Sequence, residues 1–144
     1  MARIRIDCPE QFSFSCRIPI RISDINYGGH VGNDSILSLV HEARMQFLNQ
    51  YGYTEMSLGN YGLIMADAGI EFKAELFYGE TVTAYVAVGE ISRIGFDIYY
   101  KLEKASGDKS ITVALAKTGM ICYNYKEKKI AAVPDEVRQR LSGS

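Results

Sequence analysis

The stretch FSFSCRIPIRI (residues 12–22) and the glycine-rich SDINYGGHVGN (residues 23–33) that follows it carry the clearest structural signal in the sequence. Apolar and polar residues alternate through the first segment, and a period of two over eleven residues predicts a half-buried β-strand. Because Pro19 has no backbone N–H to donate, we expect this strand to lie at a sheet edge or to bulge there. The apolar positions are Phe12, Phe14, Cys16, Ile18, Ile20 and Ile22.

One long helix is predicted after the glycine-rich segment. Asn33, Asp34 or Ser35 can cap its N-terminus, and Gly52 is suited to end it. The helix should therefore run from about residue 34 to residue 51, with an apolar stripe broad enough to pack against a sheet. The residues that recur at helical spacing in this stripe are Ile36, Val40, Ala43, Phe47 and Tyr51.

The remainder of the chain reads as strands joined by short turns. Alternating segments are predicted at about 63–74, 82–88, 96–103 and 111–125, and Pro134 opens a short C-terminal helix. These elements predict an α+β fold in which an antiparallel sheet of about five strands wraps around one long helix, as a single domain over residues 1–144. Such a sheet leaves an edge exposed, so we expect a homodimer or a homotetramer.

Composition excludes several classes of protein. The 144 residues carry a net charge of −1, so no basic surface is expected for nucleic acid. No run of about 18 apolar residues is present, so we expect no membrane span. The two histidines and three cysteines are not at metal-ligand spacing, so no metal site is predicted. An odd number of separated cysteines suits a reducing cytoplasm, which is the expected location.

Residues 24–44 carry a resemblance to a known family. Residues 24–36 read DINYGGHVGNDSI, and Glu42-Ala43-Arg44 follow within the helix. The segment resembles the D-x-D-x-x-G-H-V-N-N-x-x-Y motif and following E-A-R of the hot-dog-fold acyl-CoA thioesterases of the 4-hydroxybenzoyl-CoA thioesterase type. The resemblance extends over nearly the whole chain. It implies hydrolysis of an acyl-CoA or acyl-carrier-protein thioester, with no cofactor beyond the coenzyme A of the substrate itself.

The resemblance also implies a site at the start of the helix. Backbone amides around Gly32, Asn33 and Asp34 would bind the thioester and stabilise its oxyanion. The family's catalytic aspartate corresponds to Asn26, which cannot act as a base and can only orient water or donate to the carbonyl. Hot-dog thioesterases of enediyne biosynthesis also resemble this pattern with asparagine at that position, and in them an arginine matching Arg44 contributes.

The residue that takes the proton from water remains open between three candidates. Asp24 lies at the end of the first strand, where it could equally cap a turn. His30 can act as a base at neutral pH, or it can hold the loop as a polar member of the core. Glu42 lies on the helix with Arg44, and a buried pair of this kind can also satisfy each other's charges.

Two alternative functions follow from the same residues. Replacement of the acid by Asn26 is compatible with a non-catalytic acyl-CoA-binding protein that has kept its pocket. A hot-dog enoyl-CoA hydratase or dehydratase would use a D-x-N-P-x-H-x-D loop, to which Asp24, Asn26 and His30 come close. The proline and the final acid of that loop are absent at the required offsets, so hydrolysis is the favoured interpretation.

Overall fold

The computed structural model describes residues 1–143, so Ser144, the last residue of the predicted domain, lies outside the described residues. The strands are β1 (Phe14–Pro19), β2 (Gly62–Phe72), β3 (Thr81–Ile91), β4 (Gly95–Ser106), β5 (Lys109–Asn124) and β6 (Lys129–Ile130). The helices are α1 (Asn33–Asn49) and α2 (Asp135–Leu141), and a 3-10 turn covers Ile22–Asp24.

The strands form one antiparallel sheet in the order β1-β3-β4-β5-β2, with the short β6 paired to the end of β5. The β1 strand therefore lies at an edge, which confirms the position expected from Pro19. The β2 strand forms the opposite edge, and Met65–Ala68 are exposed there. The expectation of a homodimer or homotetramer stays a prediction.

Helix α1 packs against the sheet as the hydrophobic periodicity predicts. Val40, Ala43 and Phe47 are all fully buried, in one cluster with β3 and β4 residues such as Val86 and Ile98. This arrangement confirms the α+β prediction of one long helix covered by an antiparallel sheet. No helix within residues 1–143 is long and apolar enough to cross a membrane.

The first strand is shorter than its sequence pattern indicates. Alternating burial continues to Ile20, but Ile22, which was expected on the apolar face, is 70% exposed. The chain leaves the sheet after Pro19 and enters the 3-10 turn, so the period of two no longer describes the direction of the side chains. The sheet contains six strands, against the five or so expected, because Lys129–Ile130 pair with Tyr123–Asn124.

Candidate functional site

The glycine-rich segment forms a loop that is closed by its own backbone hydrogen bonds and leads directly into α1. The Asn26 N–H donates to the His30 carbonyl at 2.9 Å, and the Gly29 N–H donates to the Asn26 carbonyl at 3.1 Å. Gly29 has a φ of +85°, which side-chain-bearing residues rarely adopt, so a glycine is needed at this turn. The Val31 N–H donates to the Leu76 carbonyl at 2.8 Å and ties the loop to the chain that precedes β3.

Gly32 brings Asn26 and the first turn of α1 close together. A Cβ atom at this position would lie 2.6 Å from Asp34 Oδ1 and 3.5 Å from Asn26 Nδ2. The N-cap residue Gly32 supplies no side-chain hydrogen bond to the helix. The first-turn amides, beginning with Asn33, therefore lack a side-chain cap, and such amides point out of a helix N-terminus with a partial positive charge.

The His30 ring and the Asn26 amide both border Gly28, whose N–H donates to Asn26 Oδ1 at 2.9 Å. Both His30 Nε2 and Asn26 Oδ1 are within 3.5 Å of the point where a Cβ on Gly28 would stand. His30 Nδ1 is 3.1 Å from the Val31 carbonyl oxygen, which can only accept a hydrogen bond. The proton of a neutral ring is therefore on Nδ1, and Nε2 is the nitrogen that can accept a proton. A cleft of about 270 Å³ adjoins this junction, and its lining includes His30, Asn33, Ile36, Phe72, Lys73 and Leu76.

Asp24 and Glu42 face a different cleft, between β1 and α1. This cleft has a volume of about 340 Å³, and Arg17 and Arg21 also line it. The Asp24 side chain is buried and accepts a hydrogen bond from the Arg21 N–H at 2.8 Å, which closes the 3-10 turn. Glu42 is exposed and accepts a hydrogen bond from Gln46 Nε2 at 2.7 Å.

Arg44 lies in the core, about three helical turns after the start of α1. Its Nη1 donates to the Tyr100 hydroxyl at 3.2 Å, and that hydroxyl is 2.8 Å from Thr118 Oγ1. Its Nε is 3.5 Å from Glu55 Oε2. Burial, more than any other factor, raises the pKa of the Tyr100 hydroxyl, which therefore stays protonated as a partner for Arg44. We call the buried Arg44, Tyr100 and Thr118, together with the half-buried Glu55, the buried network.

The structure thus brings together five of the eight predicted site residues, namely Asn26, His30, Gly32, Asn33 and Asp34. Asp24 and Glu42 meet in the second cleft, and Arg44 belongs to the buried network. Sequence reasoning missed Phe72 and Lys73 beside the helix start, and Tyr100 and Thr118 beside Arg44. No local pattern marks these residues, because β2, β4 and β5 are far from the loop in the sequence. Among residues 1–143 no group of His, Cys, Asp or Glu side chains is arranged to hold a metal ion.

The sequence of this chain is similar to that of known proteins. The model of the thioesterase-like superfamily matches residues 20–141. A curated protein from Aquifex aeolicus, named "Putative esterase", is 26% identical over 130 residues, which are 89% of this chain and 97% of that protein.

Solved structures show the same fold. A 1,4-dihydroxy-2-naphthoyl-CoA thioesterase from Synechocystis superposes with a TM-score of 0.79 at 22% identity, over 90% of this chain and 95% of that one. A 4-hydroxybenzoyl-CoA thioesterase, in which one aspartate is mutated to asparagine and 4-hydroxybenzoyl-CoA is bound, gives 0.80 at 15% identity, over 89% and 97%. Since the family model spans most of the sequence and these structures share its architecture, the chain belongs to the thioesterase-like superfamily and has the hot-dog fold.

Proposed function

We propose that this chain hydrolyses an acyl-CoA or acyl-carrier-protein thioester to a free acid and a thiol at the junction of the loop and α1. The observation that carries the proposal is that His30 Nε2 and Asn26 Oδ1 both border the Gly28 backbone, in the loop that leads to helix amides without a side-chain cap. A base, a group that orients water and a set of oxyanion donors are the parts that acyl transfer to water requires.

The reaction needs no other chemical group. Asn26 orients a water molecule, and His30 Nε2 takes one of its protons as the oxygen attacks the thioester carbonyl. The amides of Asn33 and Asp34 stabilise the developing oxyanion. The C–S bond then breaks, and the departing thiolate receives the proton from His30. The products are the carboxylic acid and the thiol of the carrier.

His30 is preferred to the other two candidate bases because of where each side chain lies. The Asp24 carboxylate is engaged with the Arg21 N–H. Glu42 is eight residues after Asp34, which is about 12 Å along the helix axis. Arg44 is farther still, at about 15 Å from the first turn. We therefore assign Arg44 a positioning role, through the packing of α1, in place of direct contact with the substrate.

The test is release of free thiol from a panel of short, long and aromatic acyl-CoA substrates. Aromatic acyl groups belong in the panel because the similar structures with named substrates act on aromatic acyl-CoA. We expect His30→Gln and Asn26→Ala to lower kcat by about a hundredfold or more. The matched control is His41→Gln, since His41 is the other histidine of the chain and lies on α1 against Glu55.

A second function is favoured by Asn26 itself. If the missing carboxylate has abolished turnover, the protein binds acyl-CoA without consuming it, and acyl-CoA raises the melting temperature while no thiol appears. In that case Asn26→Asp should gain hydrolytic activity. Wild-type protein that releases no thiol from any member of the panel would contradict the proposed hydrolysis, and equal activity of His30→Gln and His41→Gln would contradict the role of His30.

A further inference from the structure

Gly32 leaves open a space that both the Asn26 amide and the Asp34 carboxylate border. A Cβ atom on Gly32 would lie 2.6 Å from Asp34 Oδ1 and 3.5 Å from Asn26 Nδ2. Cβ atoms essentially never come within 3.0 Å of such a neighbour, so a side chain at this position would displace the Asp34 carboxylate. The glycine therefore keeps one space accessible to both the acid and the amide.

The Asp34 carboxylate takes no part in holding the described chain together. It is exposed, and within residues 1–143 it forms no hydrogen bond and no ion pair. The helix dipole favours an acid in the first turn of α1, which is the ordinary structural reason for an aspartate at this position. The dipole requires neither the missing side chain at Gly32 nor the space that it leaves beside Asn26.

The Asn26 amide is turned so that its nitrogen is available to a ligand. Its Oδ1 accepts a hydrogen bond from the Gly28 N–H at 2.9 Å, and Nδ2 has no hydrogen-bond partner among the described residues. Nδ2 can donate to the oxygen of a water molecule, whereas the ionised Asp34 carboxylate can only accept a proton from it. Because both groups border the space at Gly32, one water molecule can bind to both.

Three departures from the family motif meet at this space. Where the motif D-x-D-x-x-G-H-V-N-N-x-x-Y has its second acid, this chain has Asn26, and where the motif has its first asparagine, the chain has Gly32. The motif leaves the position of Asp34 unspecified. The loop thus lacks a carboxylate, the first turn of α1 carries one, and the residue between them lacks the side chain that would displace it.

We infer that the Asp34 carboxylate is a catalytic group that holds the attacking water together with Asn26 Nδ2, and that it supplies the negative charge that the loop lacks at Asn26. This role rests on the proposed function, because the water must attack a thioester bound at the same junction. Asp34 accepts one O–H of the water, which leaves the other O–H for His30 Nε2 and a lone pair for the carbonyl carbon.

The Asp34 carboxylate keeps its charge during the step. The proton that leaves the water goes to His30, the new C–O bond forms, and the electron pair of the C=O bond moves to the carbonyl oxygen. Hydrolysis can proceed with the water held by Asn26 alone, and the Asp34 carboxylate makes it faster by fixing the direction of attack.

The test measures thiol release from the acyl-CoA that wild type hydrolyses fastest. We expect Asp34→Asn to lower kcat about tenfold or more and to change KM by less than about twofold, because the carboxylate contacts the water and not the acyl group. The matched control is Asp135→Asn, which removes an exposed first-turn acid of α2 and should keep kcat within about twofold of wild type. Both variants should melt within about 3 °C of wild type.

Two further measurements separate a catalytic carboxylate from a structural one. Sodium formate should raise the kcat of Asp34→Ala about fivefold, because formate can enter the vacated space and accept the same hydrogen bond, whereas sodium chloride at equal ionic strength should not. The double variant Asn26→Asp/Asp34→Asn returns the charge to the loop and should have a kcat about fivefold or more above that of Asp34→Asn. Recovery in either measurement supports the role of Asp34, since a charge that acts only on the helix would give neither.

Equal kcat values in Asp34→Asn and Asp135→Asn, with wild type active, would overturn the role of Asp34 and leave the proposed hydrolysis intact. A loss in Asp34→Asn that is restored neither by formate in Asp34→Ala nor by an acid at residue 26 would also overturn it, and would assign the acid to the helix dipole alone. Wild type that releases no thiol would overturn the hydrolysis and the role of Asp34 together.

Discussion

The polar residues at the first turn of α1 and the polar residue Arg44 near its end have different surroundings. At the first turn, Asn33 and Asp34 are exposed, and the cap residue Gly32 offers the helix no side-chain hydrogen bond. Ten residues later, Arg44 is 5% exposed and donates to the buried Tyr100 hydroxyl. Polar groups without protein partners can bind a ligand, whereas polar groups with buried partners are held in one arrangement.

This difference predicts a functional division within α1, in which the first turn serves catalysis and the buried network serves stability. Changes at the exposed first turn should affect catalysis with little effect on stability. Changes in the buried network should lower stability with little effect on the chemistry of the folded molecule. Three substitutions test this division, from the largest expected effect on the free energy of unfolding to the smallest.

Replacement Arg44→Ala should have the largest effect on stability. It leaves a cavity in the core and removes one of two partners of the Tyr100 hydroxyl, which keeps Thr118, and one of two partners of Glu55, which keeps His41. We expect the free energy of unfolding to fall by about 3 kcal/mol, measured by urea denaturation. The exposed-site variant Lys109→Ala is the matched control. If Arg44 acts directly on the substrate, kcat of the folded fraction should instead fall more than a hundredfold, and the division would be wrong.

Replacement Tyr100→Phe should have an intermediate effect. It removes the hydroxyl and leaves Arg44 Nη1 and Thr118 Oγ1 without that partner, which should cost about 1.5 kcal/mol. Because burial raises the pKa of Tyr100, its contribution is complete below the ordinary pKa of 10.0 and is lost as pH rises through the higher value in the folded state. Stability above pH 10 should therefore fall less steeply in Tyr100→Phe than in wild type. Parallel pH profiles for the two proteins would contradict the buried position of this hydroxyl.

Replacement Gly32→Ala should have the smallest effect on stability and a clear effect on activity. The φ of −71° at this position suits alanine, and the crowded atom, Asp34 Oδ1, is the movable end of a side chain. We expect the free energy of unfolding to change by less than about 1 kcal/mol. The added methyl group would lie between Asn26 and the helix amides, so kcat/KM should fall about tenfold, as measured by thiol release. If Gly32→Ala lost more stability than Tyr100→Phe, the proposed contrast between the first turn of α1 and the buried network would be wrong.

The main elements of the fold could be predicted because their patterns are local. Alternation identifies β1, and helical spacing identifies α1 to within one residue at its start and two residues at its end. The position of Pro19 correctly indicates an edge strand. The exposure of Ile22 could not be predicted, because its residue type continues the alternation while the backbone turns away from the sheet.

The candidate site could be predicted only in part. Asn26, His30, Gly32, Asn33 and Asp34 meet because they belong to one short loop and the helix that follows it. Glu42 and Arg44 stand in the same sequence motif, yet they face a surface cleft and the core, respectively. Two residues apart on a helix is about 200° of rotation, so the motif by itself does not place them on one face.

The sequence by itself determined the strand, the loop, the helix and the family resemblance, because each depends on residues close together in the chain. Only the tertiary structure decided that Arg44 meets Tyr100 and that Phe72 and Lys73 line the cleft beside the start of α1. Those contacts follow from the order of the strands and from their register, such as the pairing of Phe72 with Ala114. Register depends on the packing of the whole sheet against the helix, which no local period in the sequence specifies.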